Sequence, residues 1–472
     1  MAKERRGTGE AMRRAGRIAR WLAAALILLV GGLFMWLYFA PPALIRVGSG
    51  YAAKIVCSNV FVAGRDAGQV LADDVQAPGH PLLRLMSVDV DDSAGTVRAG
   101  LFGLFGKGLA LEQEGAGCTT VPDGDLAAAT LGAVPPPGAP NGDALWPEGE
   151  RVEASQTPEL QAVLDDAGLA GPGMRAIVVV KSGRVVGERY AEGFDASTPL
   201  LGWSMTKTVT AAIIGTLVAD GKMSVDQTGL FEAWKSDGRA AISLADLMAM
   251  SSGLEFNEDY GDVADVTRML YLEPDMASFA SAKPLAGEVG KVFSYSSGTT
   301  LILSRLWQDA VGDPARALAL PRERLFGPVG MTSAVLEADA RGTYAGSSYL
   351  YATAHDWARF GQLLLQDGVW QGGRILPEGY VGWMREAAPA SNGEYGRGQL
   401  WLRGPEGGAP PGANPDAGFD LPADTFWIQG HDGQSVAIVP SEEMVVVRLG
   451  LTPSKLHYKP QAMLAALIAA LR

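Results

Sequence analysis

An uninterrupted apolar run near the N-terminus limits what this chain can fold into more than any other feature. Residues 21–39 read WLAAALILLVGGLFMWLYF, nineteen residues without a charge. As a helix at about 1.5 Å per residue, the run would measure roughly 28 Å, close to the thickness of a bilayer's hydrocarbon core. We therefore predict that residues 21–39 form a transmembrane anchor in contact with the lipid bilayer.

The charges beside the run predict its orientation. Residues 1–20 form a basic tail with seven Lys or Arg residues and two Glu residues. Basic residues favour the cytoplasmic side of a span, and Trp21, Trp36 and Tyr38 lie near its ends, where aromatic side chains prefer the interface. We predict a single-pass protein of the cell inner membrane, with a cytoplasmic N-terminus and the rest of the chain on the periplasmic or extracellular side.

Two other interpretations of the run stay open. A cleaved signal peptide is one, but its apolar core usually has about 7–15 residues, and the Ala-Pro-Pro-Ala at 40–43 is a poor cleavage site. A helix buried in a soluble core is the other, although the two flanks of the run differ strongly in charge. The uncleaved anchor is the interpretation that we carry forward.

Beyond the basic tail the chain is acidic. The net charge is −13, and after residue 20 there remain 32 basic residues against 50 acidic ones. An acidic body repels nucleic-acid phosphates, so we expect no nucleic-acid partner. Hydrophobic residues make up 47% of the chain, which is enough for a sizeable core.

The two cysteines, Cys57 and Cys118, both follow the predicted span. An oxidising compartment would let them pair, so we predict a disulfide, with two unrelated buried thiols as the alternative. The four histidines are scattered along the chain, and the cysteine spacing matches no zinc motif. We expect no metal and no organic cofactor.

Changes in composition divide the rest of the chain into three predicted segments. Residues 44–125 mix β-forming stretches with glycine-containing turns and are expected to form a small β-rich module. Residues 126–150 are rich in Pro, Gly and Ala and indicate a linker or an extended surface segment. Residues 151–472 form the main domain, in which a hairpin at 176–190 and strands at 425–449 bracket a long helical middle.

A serine and a lysine three residues apart open one of these helices. Ser204 and Lys207 stand in GWSMTK at 202–207, directly before an apolar helical pattern. This spacing places both side chains on one helix face, with Cβ atoms about 5–6 Å apart. A lysine whose pKa is lowered by burial is able to deprotonate a serine hydroxyl. Thr206 stands where a Gly-x-Ser-x-Gly elbow needs its second glycine, which argues against an α/β-hydrolase.

Ser-x-x-Lys alone is a weak signal, but two further motifs follow it: FSYSSG at 293–298, before an apolar helix, and GHDGQ at 430–434, between two strands. With all three, residues 155–472 resemble the serine β-lactamase and penicillin-binding superfamily, and within it class C-like (family VIII) esterases and 6-aminohexanoate-oligomer hydrolases. The resemblance implies an α/β (α+β) fold of the β-lactamase/transpeptidase type, with a central antiparallel sheet flanked by helices and an α-helical lobe.

The resemblance also implies roles for single residues. Ser204 is the implied nucleophile, Lys207 its base or proton relay, and Tyr295 the group that passes the proton to the leaving group. We expect a neighbouring cation to lower the pKa of Tyr295. The backbone N–H groups of Ser204 and Gln434 are the implied oxyanion hole, and Gly433 would let the strand approach the substrate closely.

Two positions depart from the family's pattern. Ser297 stands where many members have Asn, which puts substrate preference in doubt. His431 stands where penicillin-binding enzymes have Lys, and a mostly neutral imidazole holds a substrate carboxylate less firmly; a purely structural histidine is the alternative. Tyr260, on a loop that resembles the family's cleft cover, is a candidate substrate contact, or else an exposed loop residue.

We therefore predict a serine hydrolase that cleaves a small-molecule ester or linear amide through an acyl-enzyme on Ser204. A D,D-peptidase or β-lactamase acting on cell-wall peptides or β-lactams is the main alternative. A non-catalytic exported binding or sensor protein with the same fold is the alternative from another class. The physiological substrate, the role of residues 44–125 and the oligomeric state stay open.

Overall fold

The computed structural model describes residues 2–136, 138, 139, 141–410 and 412–472, with side chains described from residue 14 onward. Its helices are, in chain order, α1 (Ala2–Phe39), α2 (Ala43–Phe61), α3 (Ala67–Val70), α4 (Leu126–Ala129), α5 (Pro158–Asp165), α6 (Ala167–Ala170), α7 (Thr206–Ala219), α8 (Leu244–Met248), α9 (Asp265–Leu272), α10 (Met276–Ser281), α11 (Ser297–Val311), α12 (Pro314–Pro321), α13 (Gly327–Val329), α14 (Ala354–Leu365), α15 (Tyr380–Met384) and α16 (Pro460–Leu471).

The strands are, in chain order, β1 (Met86–Asp91), β2 (Thr96–Leu101), β3 (Phe105–Gln113), β4 (Gly117–Thr120), β5 (Met174–Lys181), β6 (Arg184–Tyr190), β7 (Leu200–Leu201), β8 (Val335–Leu336), β9 (Leu350–Ala352), β10 (Val369–Trp370), β11 (Gly373–Arg374), β12 (Phe426–Gly430), β13 (Gln434–Val439) and β14 (Met444–Gly450). A five-stranded antiparallel sheet has the order β12-β13-β14-β5-β6, and a four-stranded one has the order β1-β2-β3-β4. Smaller sheets are β7-β9-β8 and β10-β11.

The five-stranded sheet is the centre of the main domain. In β5, Val178 and Val180 face the larger apolar core, whereas Ile177 and Val179 face a second cluster that includes side chains of α5 and α16. A strand buried on both faces needs a continuous apolar sequence, and β5 has one. Helix α14 packs against β13, β14 and β5. The predicted hairpin is confirmed as β5 and β6, and the predicted mixed α/β fold is present.

The segment 44–125 is less rich in strands than the sequence predicts. Strands β1–β4 are present, but α2 fills residues 43–61 and packs across β2 and β3. Gly108 permits this contact, because a Cβ atom there would lie 2.1 Å from the backbone oxygen of Ser49. Most of α2 is buried, so its sequence shows no polar face. An amphipathic pattern is what reveals a helix in a sequence, and α2 lacks one.

Buried charges tie this N-terminal segment to the main domain. The Lys54 ammonium group pairs with the Glu337 carboxylate, which also accepts hydrogen bonds from Ser58 Oγ at 2.8 Å and from the Cys118 N–H at 2.6 Å. Glu337 is 0% exposed. Buried charges persist only where they are paired, so this contact resists separation of the two parts. The predicted boundaries near residues 125 and 150 stay predictions.

Cys57 on α2 and Cys118 on β4 are both buried and are joined by a disulfide, with Cα atoms 6.1 Å apart. The bond links two elements that are 61 residues apart in the chain. It therefore closes a long loop within the N-terminal segment.

Replacing both cysteines by serine is expected to lower the free energy of unfolding by about 2–4 kcal/mol, because the unfolded chain regains the entropy that the closed loop denies it. Thermal denaturation measures the change, with the wild type and the exposed control variant Ser93→Ala measured beside the double variant. Intact mass without reductant tests the link itself: two free thiols, or equal melting temperatures, would contradict the prediction.

Helix α1 contains the predicted span. In the described part of the chain it is the one helix long and apolar enough to cross a membrane, over Arg14–Phe39. Its apolar side chains are exposed, for example Leu28 at 76% and Trp21 at 75%. Between Ile18 and Trp36 the large apolar side chains are exposed, whereas Leu37 and Tyr38 pack against the core. Exposed apolar side chains in such numbers are unfavourable in water.

Candidate active site

Ser204 and Lys207 lie where the chain enters α7. Ser204 belongs to a short 3-10 turn, Trp203–Met205, and Lys207 occupies the first turn of the helix. The Lys207 Nζ atom is 3.0 Å from the Ser204 Oγ atom. Ser204 is partly exposed, whereas Lys207 is 1% exposed. The predicted nucleophile and its predicted base are thus in hydrogen-bond contact, and the nucleophile is the more accessible of the two.

The Lys207 ammonium group donates to two further acceptors. These are Ser297 Oγ and the Ser347 carbonyl oxygen, each 3.1 Å from Nζ. Burial lowers the pKa of Lys207 to about 8, and the Glu258 carboxylate opposes that shift. A lysine with this pKa is neutral in about a tenth of the molecules at pH 7 and is then able to accept the serine proton.

The Tyr295 ring lies over Lys207, with its centroid 4.7 Å from Nζ. It also packs against Tyr395 and Trp401, at centroid distances of 5.9 and 5.4 Å. The expected lowering of its pKa is wrong: burial raises the pKa of the phenol, and hydrogen bonding to Ser204 offsets only part of the rise. The negative charge of Glu258 adds to the rise. Tyr295 therefore keeps its proton in the free protein.

Glu258 is a site residue that the sequence analysis missed. Its carboxylate accepts hydrogen bonds from the Ser297 hydroxyl at 2.5 Å and from the Ser297 N–H at 2.8 Å, at the start of α11. Burial raises the pKa of Glu258, and the charge of Lys207 opposes the rise. Ser297 therefore links the acid to the lysine. Glu258 belongs to no motif with a recognisable spacing, and it lies among other acids on its loop. The sequence therefore offered no reason to select it.

Replacing Glu258 by Gln is expected to move the pH profile of kcat/KM to lower pH. The carboxylate raises the pKa of Lys207, so without it Lys207 loses its proton at a lower pH. The profile for a p-nitrophenyl ester, compared with that of the exposed loop variant Glu255→Gln, measures this effect. A Glu258→Gln profile that overlays the wild type would rule out an influence of the carboxylate on the base.

The third motif forms the turn between β12 and β13. Asp432 and Gly433 have positive φ angles of 56° and 80°, and the buried Arg448 guanidinium group donates to the Gly433 carbonyl oxygen at 3.0 Å. A Cβ atom on Gly430 would lie 2.2 Å from the Gly202 backbone oxygen. The base of this turn therefore touches the chain just before the nucleophile. Arg448 was also missed, although an arginine inside the apolar strand MVVVRLG was a usable signal.

Gln434 is the first residue of β13, and its side chain forms hydrogen bonds with the backbone of the neighbouring strand β14. Its Nε2 atom donates to the Gly450 carbonyl oxygen at 2.5 Å, and its Oε1 atom accepts from the Gly450 N–H at 2.9 Å. These bonds hold the backbone of Gln434 in place beside the turn. The oxyanion hole formed by the N–H groups of Ser204 and Gln434 stays a prediction.

His431 and Tyr260 form one wall beside the nucleophile. Their rings stack with centroids 5.2 Å apart, and the His431 ring meets that of Trp203 edge to face at 5.6 Å. His431 is exposed and Tyr260 is half-buried. Their roles as substrate contacts stay predictions.

A metal site needs several ligand side chains close together. In the described ranges of the chain, no three His, Cys, Asp or Glu side chains are grouped as metal ligands would be.

Comparison with known proteins gives three informative matches. The Beta-lactamase family model matches residues 164–469. A 6-aminohexanoate-dimer hydrolase from Paenarthrobacter ureafaciens is 25% identical over 304 residues, which cover 59% of this chain and 72% of that protein. A solved Bacillus anthracis structure, provisionally named 6-aminohexanoate-dimer hydrolase, has a TM-score of 0.52 and 22% identity and covers 84% of this chain and 94% of that one. At this identity the structural likeness concerns the fold alone.

Proposed function

The chain belongs to the beta-lactamase family, and on that premise we propose that it is a serine hydrolase that cleaves an ester or a linear amide through an acyl-enzyme on Ser204. The observation that carries the proposal is the 3.0 Å contact between Ser204 Oγ and the buried Lys207 Nζ, whose pKa burial lowers to about 8. A serine hydroxyl needs an adjacent base to become a nucleophile, and this lysine meets that need.

These contacts support the following reaction. Neutral Lys207 takes the Ser204 proton while Oγ attacks the carbonyl carbon, and the N–H groups of Ser204 and Gln434 stabilise the negative oxygen. When the intermediate collapses, Tyr295 donates its proton to the leaving alcohol or amine and is reprotonated from Lys207. A water molecule then attacks the acyl-enzyme, with its proton passing to the same groups, and the acid product leaves Ser204 regenerated.

An ester or linear amide fits this site better than a β-lactam or a D,D-peptide. His431 replaces the lysine that would hold a substrate carboxylate, and its Nε2 atom lies 3.4 Å from Asp432 Oδ1. The adjacent acid repels an anionic substrate group. The Ser297 hydroxyl, which replaces a family Asn, is bonded to Glu258. An amide as substrate also agrees with the name of the Paenarthrobacter relative.

We further propose that residues 21–39 anchor the protein in a membrane as a single span, with the hydrolase domain on the periplasmic or extracellular side. The support is the exposed apolar surface of α1 together with the basic residues before it. Carbonate extraction of membranes, followed by protease treatment of intact spheroplasts, tests both parts. Release by carbonate would exclude an integral anchor, and full protease resistance would exclude the outward orientation.

Intact-mass spectrometry tests the hydrolase proposal. The full chain in detergent is treated separately with a fluorophosphonate, benzylpenicillin and a p-nitrophenyl ester, with Ser204→Ala as the control. We expect a fluorophosphonate adduct that needs Ser204, and ester turnover without lasting penicillin acylation. A stable penicillin adduct would favour the cell-wall alternative, and complete absence of adducts and turnover would favour a binding protein.

A further inference from the structure

A cavity of about 170 Å³ is lined in part by the residue that precedes the predicted nucleophile. Trp203, the residue before Ser204, lines it together with Tyr260 and His431. The aromatic contacts among these three rings make the wall continuous. The cavity therefore adjoins the chain segment that carries Ser204, although Ser204, Lys207 and Tyr295 do not line it.

The N-terminal segment supplies much of the remaining lining. Leu44, Val47 and Tyr51 contribute from the first turns of α2, and Leu82 and Leu83 from the chain just before β1. Side chains from two distant parts of the sequence thus enclose one mainly apolar space. Such a space favours an apolar occupant, because each buried methylene group contributes about 0.8 kcal/mol.

The charges around the cavity limit its occupant further. Asp262 and Asp432 line it, and its described lining includes no Lys or Arg. A substrate carboxylate placed here would lose hydration and meet two acids, with only the imidazoles of His80 and His431 and no permanent cation to offset them. An uncharged group is therefore favoured over an anionic one.

The cavity also lies close to the end of α1. Three residues separate Phe39, the last residue of α1, from Ala43, the first residue of α2, and Leu44 is already part of the lining. In a membrane-anchored protein this position is near the bilayer surface, where amphiphilic molecules gather. The cavity and the exposed apolar helix thus point to the same kind of ligand.

We infer that this cavity binds the acyl chain of an amphiphilic substrate, an uncharged aliphatic acyl group of about six carbons, counted with the carbonyl carbon of the scissile ester or amide. Its volume supports that size, because a cavity of about 150 Å³ lined by apolar side chains holds a benzene molecule. The inference rests on the proposed function and adds the substrate class: medium-chain acyl esters or amides. The N-terminal segment then determines substrate choice in addition to its structural contacts.

A chain-length series tests the inference on the full chain in detergent. The kcat/KM for p-nitrophenyl acetate, butyrate, hexanoate and octanoate should rise about three- to fourfold per methylene up to six carbons and then level off. Val47→Phe fills the cavity and should lower the hexanoate-to-acetate ratio at least about fivefold, whereas Val47→Ala should move the preference to octanoate. The matched control Arg46→Phe adds the same ring to the exposed face of α2 and should keep the wild-type ratio.

A flat or falling series, or equal changes in Val47→Phe and Arg46→Phe, would overturn the inference while leaving the hydrolase proposal intact. Binding is measured separately on Ser204→Ala by equilibrium dialysis of two stable amides, acetanilide and hexananilide. Hexananilide should bind at least about tenfold more tightly, and Val47→Phe should remove that preference. This binding experiment tests the inference even if no ester is hydrolysed. Equal affinities for the two amides would refute the inference.

Discussion

Replacement of Ser204 by Ala is expected to abolish fluorophosphonate labelling and to lower kcat/KM for a p-nitrophenyl ester by about 10⁴-fold or more. Alanine removes Oγ, the atom that forms the acyl bond, so only direct attack by water remains, assisted by the oxyanion hole and by substrate binding. Initial rates at low substrate concentration measure the ratio, and intact mass after labelling reports the adduct.

Removal of the Ser204 Oγ atom should leave the fold intact. Ser204 is partly exposed, and without its oxygen Lys207 keeps Ser297 and Ser347 as hydrogen-bond partners. The melting temperature of Ser204→Ala should therefore stay close to that of the wild type, and Ser93→Ala, an exposed serine in a turn, controls for the handling of a variant. An adduct that persists in folded Ser204→Ala would place the nucleophile elsewhere.

Replacement of Lys207 by Met is expected to lower kcat/KM by about 10²–10⁴-fold, because the base that accepts the serine proton is lost. In the wild type, kcat/KM should rise with pH and level off above about pH 8, where burial has placed the pKa of Lys207. In Lys207→Met this rise should be absent. Steady-state kinetics between about pH 6 and pH 10 records both effects.

The thermal stability of Lys207→Met shows whether the variant has lost catalysis alone or has also lost its fold. The pKa of Lys207 is lower in the folded chain than in the unfolded chain, so the unfolded state binds more protons between the two values. This lysine therefore destabilises the folded state at low pH. The destabilisation disappears as pH rises through about 8 and beyond, where the folded chain and then the unfolded chain lose the proton. Lys207→Met should melt no earlier than the wild type at pH 7, although it is far less active.

Lys207→Arg distinguishes a base from a simple positive charge. Arginine keeps the charge but does not lose its proton in this pH range. We expect Lys207→Arg to be about as inactive as Lys207→Met. Activity near that of the wild type would mean that the charge alone suffices and that another group removes the serine proton.

The sequence by itself predicted the reaction centre because its key information is local. Ser204 and Lys207 are three residues apart at a helix start, and helix geometry alone brings such side chains together. The hairpin of β5 and β6 was equally predictable, because two apolar runs flank a Ser-Gly turn. The order of three motifs then indicated the family, although the distances between Ser204, Tyr295 and Ser297 depend on the fold.

The tertiary structure alone decided the features that depend on burial and on contacts between distant segments. Glu258 reaches Ser297 across 39 residues of chain, and burial reversed the expected shift in the pKa of Tyr295. Helix α2 lacks a polar face because both the four-stranded sheet and the main domain cover it, so the sequence concealed it. Desolvation and long-range packing are properties of the folded chain, and no local pattern of residues encodes them.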